Sequence, residues 1–323
     1  MKKTINIRCK NTGKTHQVPI GSTLEEVYEL LNIQMPYGAT SAKVNNKVEG
    51  LHFMFFNDKD VEFLDITSPS GMRTYTRSLF FVLYKAVSDL YPEMRLKIGT
   101  PVSNGYYCEI EAADGVALQT ADTLDQRRDK IKARMQEIID ADMAFHRITC
   151  PTDEAIRLFR QKGLEDKAKL LEGIGSLYTH YYTLGDTIDY FYGSLLIRTS
   201  QITLFDIINY GEGLLLRVPD SNNPTQLKPM REQSKMFDVF RQQHRWQDIL
   251  GVSTVGELNA ATAAGYSNDL IQVSEALQEK NIARIADTIA SNRRLKVILI
   301  AGPSSSGKTT FSKRLSVQLI ACG

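Results

Sequence analysis

The sequence predicts a multidomain protein of mixed α+β and α/β architecture. Its 323 residues are enough for two or three domains. Alternating apolar residues and helix-capping patterns intermingle through the first part of the chain, as they do in α+β domains. Around residue 300, a β-branched apolar run leads into a glycine-rich loop and then a helical pattern, which is typical of the opening unit of an α/β domain.

The composition is that of an ordinary soluble globular protein. Hydrophobic residues make up 42% and charged residues 24%, and the net charge of +2 argues neither for nor against an anionic partner. No apolar run approaches the ~20 residues that span a bilayer. Four cysteines without a C-x-x-C pair indicate reduced thiols rather than a disulfide framework or a zinc site. We therefore expect a cytoplasmic protein with no membrane partner.

The first elements follow the order strand, strand, helix, strand, strand. Apolar residues alternate over residues 5–9, and Asn-Thr-Gly at 11–13 predicts a hairpin turn into the second strand. Residues 22–25 have the spacing of a capping box, and apolar residues on one helical face follow it. Two more short strands are predicted at 42–44 and 61–64. This order predicts a β-grasp domain.

Two segments of this region carry a family resemblance. Val44-Asn45-Asn46-Lys47-Val48 and Asp60-Val61-Glu62-Phe63-Leu64 resemble the TGS domain, the ubiquitin-like module found at the front of threonyl-tRNA synthetases. The resemblance implies a TGS-like β-grasp domain over residues 1–67. Such a domain supplies an interaction surface and no catalytic residue.

The next region, residues 68–220, resembles the second domain of threonyl-tRNA synthetase, which is related to the alanyl-tRNA synthetase editing domain. The resemblance runs from a helix ending at Leu90-Tyr91-Pro92, through a strand at 96–107, to a long helix at 123–145. It implies an editing-like α+β domain.

The residues that would carry editing chemistry are replaced. The family site uses an H-x-x-x-H helix pair with a later Cys and His. In this sequence the resemblance places Arg77 and Phe81 at the first pair and Phe191 and Leu195 at the second. None of these side chains ligates zinc or transfers a proton near neutral pH. We therefore expect no catalytic zinc and no editing at this site. The five histidines show no ligand spacing: His16, His52, His146, His180 and His244.

Tyrosines are frequent in this region, and two interpretations of the emptied site stay open. The first is a scaffold retained for packing, and the second is a cleft that binds a ligand or an RNA end by stacking. The tyrosines concerned are Tyr106, Tyr107, Tyr178, Tyr181, Tyr182, Tyr190 and Tyr192. The basic run at 127–134 shares its helix with acidic residues and is interpreted as a solvated face.

Residues 221–294 are predicted to be a helical connector. Turn-forming residues at 221–225 indicate a linker. Helices are predicted at 236–246, from a capping pattern at 254–257, and over 269–294.

The strongest motif lies at 302–310 and matches G-x-x-x-x-G-K-[ST], the phosphate-binding loop. Backbone N–H groups of such a loop turn inward on phosphate oxygens, and the following helix N-terminus adds favourable partial charge. Lys308 is the predicted catalytic residue and Thr309 the predicted Mg²⁺ ligand. The residues predicted to bind ATP are Gly302, Pro303, Ser304, Ser305, Ser306, Gly307, Lys308, Thr309 and Thr310.

The motif followed by Phe311 resembles the start of uridine kinases and their phosphoribulokinase relatives. Together with the preceding domains it resembles a bacterial uridine kinase-like fusion protein. We expect residues 295–323 to be the first strand, loop and helix of a truncated P-loop NTPase domain. The parent activity would then be ATP-dependent phosphorylation of a nucleoside, with this chain inactive by itself.

Two alternatives to the kinase stay open. One is an RNA-binding or regulatory protein in which the nucleotide site acts as a switch. The other is a threonyl-tRNA synthetase relative that retains editing. The implied partners are ATP with Mg²⁺ and a nucleoside, with RNA as a further partner of the front domains.

Overall fold

The computed structural model describes residues 3–112 and 122–323. It is mixed α+β with several sheets and helices, as predicted. The chain divides into two compact units: Met1–Ala155 with Leu177–Phe237, and Ile156–Ser176 with Asp238–Gly323. Among the described residues, no helix is both long enough and apolar enough to cross a membrane.

The first unit begins with a five-stranded sheet in the order β2-β1-β5-β3-β4, in which β1 and β5 run parallel. Its elements are β1 (Thr4–Cys9), β2 (Lys14–Pro19), α1 (Leu24–Leu30), β3 (Ser41–Val44), β4 (Lys47–Glu49) and β5 (Lys59–Leu64). The alternating residues of β1 turn one face inward, and Ile7 and Cys9 are fully buried. The capping box that starts α1 is formed by Thr23 and Glu26, one residue later than predicted.

The rest of the first unit contains three further sheets and two long helices. The sheets have the orders β11-β12-β7-β6, β10-β9-β8 and β13-β14. The elements are α2 (Pro69–Leu90), β6 (Met94–Val102), β7 (Gly105–Ala112), α3 (Leu124–Asp140), β8 (His146–Pro151), the start of α4 (Thr152–Gln161), β9 (Tyr178–Leu184), β10 (Thr187–Asp189), β11 (Asp206–Tyr210), β12 (Gly213–Arg217), β13 (Pro219–Asp220) and β14 (Asn223–Leu227).

Helix α2 forms the centre of this unit because much of its surface is apolar. Ser68 caps its N-terminus and Pro69 occupies its first turn. Buried side chains along it, including Tyr75, Leu79 and Phe81, join the main core cluster. The helix predicted at 123–145 corresponds to α3, which ends earlier, at Asp140.

In the segment predicted as a linker, 221–225, residues 221–222 form a β-hairpin turn and residues 223–225 begin β14. Strands β13 and β14 pair across this turn, with Asp220 opposite Asn223. Turn-forming residues are equally typical of hairpins and linkers, so composition alone does not separate the two.

The secondary structure assigned to the described residues of the second unit is helical. Its elements are the remainder of α4, then α5 (Glu165–Ile174), α6 (Ser234–Leu250, from Asp238 onward), α7 (Val255–Ala263), α8 (Ser267–Ala290) and α9 (Lys308–Ala321). Helices α5 and α7 approach closely at Gly256, where an added Cβ would lie 2.8 Å from the Leu170 nitrogen. Helices α8 and α9 share a core of Ile282, Ala286 and Leu315.

The strand predicted before the glycine loop is absent. Residues 295–301 have no assigned secondary structure, and Leu299 is 89% exposed. An apolar run becomes a strand only when a neighbouring strand accepts its backbone hydrogen bonds. The described part of the second unit contains no strand that pairs with it. Only Ile300, at the end of the run, packs against the α8–α9 core.

Candidate functional site

Four residues stand at the positions where the sequence predicts that the editing residues are replaced. They lie together in the first unit: Arg77, Phe81, Phe191 and Leu195. Arg77 on α2 donates from Nε and Nη2 to the Ser194 carbonyl, at 3.1 and 2.9 Å. Its Nη2 also donates to the Thr74 hydroxyl at 3.3 Å. Burial lowers the pKa of the Arg77 guanidinium, but arginine stays charged in proteins. Arg77 therefore holds the chain segment around Ser194 against α2.

The side chains at the other three positions, Phe81, Phe191 and Leu195, pack together as an apolar cluster. The Phe81 ring is fully buried and lies 5.4 Å from the Phe191 ring and 6.0 Å from the Phe145 ring. Leu195 is also fully buried and belongs to the same core cluster. Gly193 completes the closure, because an added Cβ would lie 2.6 Å from the Arg77 guanidinium carbon. Among the described residues, no cluster of three or more His, Cys, Asp or Glu side chains is arranged to hold a metal.

Two histidines that are distant in sequence both lie close to Tyr182. The His52 and His180 rings are 6.1 and 6.2 Å from the Tyr182 ring. Burial, with the nearby Arg147 charge as the second cause, lowers the pKa of His52 to about 4. The same two causes lower the pKa of His180. His52 is therefore a neutral imidazole near pH 7. The sequence carried no signal for this proximity, because His52 lies in a turn after β4 and His180 lies in β9.

An aromatic and cationic surface, formed by Arg147, His180, Tyr190 and Tyr192, continues from this pair. His180 lies 6.0 Å from Tyr190, and Tyr190 packs edge-to-face against Tyr192 at 5.4 Å. Tyr192 is 77% exposed. Arg147 is exposed on β8 and donates to the Tyr182 hydroxyl. A guanidinium beside exposed rings is able to bind a phosphate and stack on a base.

The seven tyrosines singled out in the sequence have different roles. Tyr107, Tyr181 and Tyr182 are core residues. Tyr178 and Tyr192 are exposed. The tyrosines are therefore divided between the packed core and the exposed surface, so packing alone does not account for all of them.

The second candidate site is the glycine loop of the second unit. Gly307 and Ser305 adopt left-handed backbone angles, with φ of 78° and 61°, and α9 begins directly afterwards at Lys308. The Lys308 ammonium folds back across the loop and donates to the carbonyls of Gly302 and Pro303, at 2.9 and 2.5 Å. The Lys308 ammonium is therefore hydrogen-bonded within the loop itself.

A cavity of about 620 Å³ opens between this loop, α8 and α9. Such a volume lies in the range of small-molecule sites. Six of the nine predicted ATP-binding residues line it: Gly302, Pro303, Ser306, Gly307, Lys308 and Thr310. Ser304, Ser305 and Thr309 are outside this lining. Sequence reasoning missed Gln278 and Arg314, which complete the wall from α8 and α9.

Comparison with known proteins identifies threonine–tRNA ligases as relatives of this chain. No protein-family model matches the chain. It is 26% identical over 206 residues to a threonine–tRNA ligase of Acetivibrio thermocellus, a match covering 64% of this chain and 31% of the relative. It is 28% identical over 273 residues to that of Clostridium kluyveri, covering 84% and 40%. For that of Fusobacterium nucleatum the identity is 30% over 171 residues, covering 52% and 26%.

These findings correct the functional prediction. The chain spans less than half the length of the relatives it matches. All three relatives are named as ligases for threonine and tRNA, so the predicted uridine kinase-like phosphotransferase is wrong, and its nucleoside substrate has no support. The error arose because a glycine loop is shared by many nucleotide-binding proteins and does not specify a reaction. The homologues are threonyl-tRNA synthetases, and they support a threonyl-tRNA synthetase-like domain in this chain.

Proposed function

We propose that this chain is an RNA-binding, regulatory relative of threonyl-tRNA synthetases that does not edit. The observation that carries the proposal is a related fold whose reactive positions are filled by Arg77, Phe81, Phe191 and Leu195. These side chains close the site rather than catalyse, whereas the adjoining aromatic and cationic surface stays exposed.

The proposal assigns a role to each part of the chain. Residues 1–67 act as a TGS-like β-grasp module, and residues 68–220 as the synthetase-like module that binds RNA. Residues 221–294 connect these modules to a nucleotide-binding segment at 295–323. The phosphate loop of that segment binds ATP and works as a switch.

RNA binding fits the chemistry of the aromatic and cationic surface. Tyr190 and Tyr192 offer π-faces to unpaired bases, and each stacked base is worth about 1–3 kcal/mol. Arg147 offers a planar guanidinium to a phosphate. His52 and His180, both biased toward the neutral form, can exchange hydrogen bonds with sugar or base without adding charge.

The nucleotide site relies on the glycine loop. Backbone N–H groups of residues 304–307 and the ammonium of Lys308 would hold phosphate oxygens. Mg²⁺ usually keeps several waters and takes few protein ligands together with phosphate oxygens. A single hydroxyl such as that of Thr309 fits this pattern, and bound Mg²⁺ would neutralise phosphate charge there.

Titration of fluorescent tRNA with the full chain tests RNA binding. We expect Tyr192→Ala to raise Kd about fivefold to 150-fold, the loss of one stacked base. Tyr178→Ala is the matched control, because Tyr178 is also exposed but lies outside the surface. Binding should weaken as salt increases. Equal effects of the two substitutions, or no salt-dependent binding, would refute the RNA-binding proposal.

Incubation with seryl-tRNA separates this proposal from retained editing. We expect no deacylation above background and no stoichiometric zinc binding, because the apolar cluster around Phe81 offers no reactive group. Hydrolysis by the wild-type chain would favour the editing alternative. Calorimetry with MgATP tests the switch, and Lys308→Ala should abolish binding.

A further inference from the structure

Arg314 lies on the same face of α9 as the end of the glycine loop. It is two helical turns beyond Gly307 and lines the loop cavity together with Lys308 and Phe311. Long side chains on a helix lean toward its N-terminus. The Arg314 guanidinium therefore leans toward the loop, which brings a second cation to the wall of the same cavity.

This guanidinium is held by a carboxylate that the loop motif does not include. Arg314 Nη1 lies 2.9 Å from Glu279 Oε1 on α8, with exposed side-chain fractions of 39% and 40%. The other Glu279 oxygen accepts from Gln318 at 3.4 Å. A half-exposed ion pair of this kind contributes little to stability. It is easily exchanged for a phosphate, which arginine can bind through two parallel hydrogen bonds.

We propose that Arg314 is a second phosphate-binding residue of the glycine loop and that Glu279 competes with the ligand for it. The inference rests on the proposed binding of nucleotide phosphates by the loop. In the ligand-free protein both cations are engaged: Lys308 by the carbonyls of Gly302 and Pro303, and Arg314 by Glu279. An entering polyphosphate replaces these internal partners.

The chemistry of the site also predicts a preference for chain length. Gly307 and Arg314 are roughly 10 Å apart along α9, from the helical rise per residue. A short anion held by the loop and Lys308 reaches Arg314 poorly, whereas a longer phosphate chain reaches both cations. The ligand class is therefore a linear polyphosphate, free or as part of a nucleoside triphosphate, in preference to a diphosphate.

Calorimetric titration of the full chain with inorganic tripolyphosphate and with pyrophosphate tests the proposal. Arg314→Ala should weaken tripolyphosphate binding about tenfold to a hundredfold, as expected for a lost charged hydrogen bond, and pyrophosphate binding by much less. Glu279→Gln should strengthen it, up to about fivefold. Glu275→Gln, one turn away on α8 and exposed, is the matched control and should have no effect.

The double variant Glu279→Gln, Arg314→Ala decides whether the carboxylate acts through the guanidinium. The double variant should bind tripolyphosphate as Arg314→Ala does, because without the guanidinium the residue at 279 cannot compete with the ligand for it. Circular dichroism verifies that α9 is intact in each variant. If the wild type binds tripolyphosphate and Lys308→Ala weakens it while Arg314→Ala stays within about twofold, this inference is wrong and the proposed function stands. No binding by the wild type would overturn both.

Discussion

Replacing Lys85 tests how the core of the first unit is held together. Lys85 on α2 is only 5% exposed. Its ammonium donates to Asp186 at 2.8 Å, to Asp89 at 3.1 Å and to the Thr187 hydroxyl at 3.4 Å. Lys85→Met keeps most of the aliphatic stem and removes only the charged hydrogen bonds. The substitution therefore isolates the electrostatic contribution from the packing contribution.

The expected cost follows from the surroundings of the two carboxylates. Breaking a buried ion pair costs about 3–5 kcal/mol when it strands a buried charge. Here Asp186 is exposed and Asp89 keeps Arg134 at 2.8 Å, so neither charge is stranded. We expect a loss of about 1.5–3 kcal/mol, the range of one charged hydrogen bond. Lys47→Met, which removes an exposed pair with Glu49, should cost less than about 1 kcal/mol.

Urea unfolding with hydrogen exchange of α2 peptides measures this cost within the first unit. The pH dependence provides a second measurement. The hydrogen bond from Lys85 holds the pKa of Asp186 below its ordinary value. Such a carboxylate stabilises the fold above its unfolded-state pKa, and this is lost as pH falls through its folded-state pKa. The difference between wild type and Lys85→Met should shrink over that acidic window. A cost equal to that of Lys47→Met, or one that is constant with pH, would refute this reasoning.

Three further predictions concern the same unit. Gly193→Ala should destabilise the wild type by about 1–3 kcal/mol, because the new Cβ displaces the Arg77 guanidinium, and much less in an Arg77→Ala background. His52, with its pKa lowered to about 4, should show a ring NMR titration near that value. Because the unfolded state then binds more protons, this residue should make stability rise by about 3 kcal/mol from pH 4 to 7. Gly71→Ala should prevent stable folding, since its Cβ would lie 1.8 Å from the Asp65 carbonyl, and thermal unfolding measures the loss.

Local patterns predicted those parts of the fold that depend on local interactions. The alternation of residues 5–9 and the helical period before Pro92 correspond to β1 and α2, because both patterns report a buried face. The ends of elements were less well predicted. Helix α2 starts at Pro69 because Ser68 caps it, and such a boundary depends on only a few residues. The strand predicted before the glycine loop does not form, because a strand needs a pairing partner that the local sequence does not contain.

The candidate sites divide in the same way. The glycine loop is a local motif, and its spacing located Gly302 and Gly307 in the loop before α9 and Lys308 at the start of that helix. The motif did not predict Gln278 and Arg314, because these residues reach the cavity only through the packing of α8 on α9. The pairing of His52 with His180 likewise depends on tertiary structure.

In our proposal, the closed site in the first unit has lost its chemistry without loss of the fold. A buried site that loses polar ligands leaves either a void or an unpaired polar group, and each is destabilising. Here Phe81, Phe191 and Leu195 fill the volume with apolar contacts. Arg77 is half-buried, and its guanidinium is satisfied by the Ser194 carbonyl.

The backbone geometry is consistent with this arrangement. Arg77 can reach Ser194 only because Gly193 has no side chain to obstruct it. The filled site and the guanidinium clamp thus support each other, and together they hold the segment that carries Tyr190 and Tyr192. In our proposal, substitutions that abolish catalysis therefore also fix the orientation of the surface that binds RNA. Loosening the clamp with Arg77→Ala should accordingly weaken tRNA binding, although Arg77 itself does not belong to that surface.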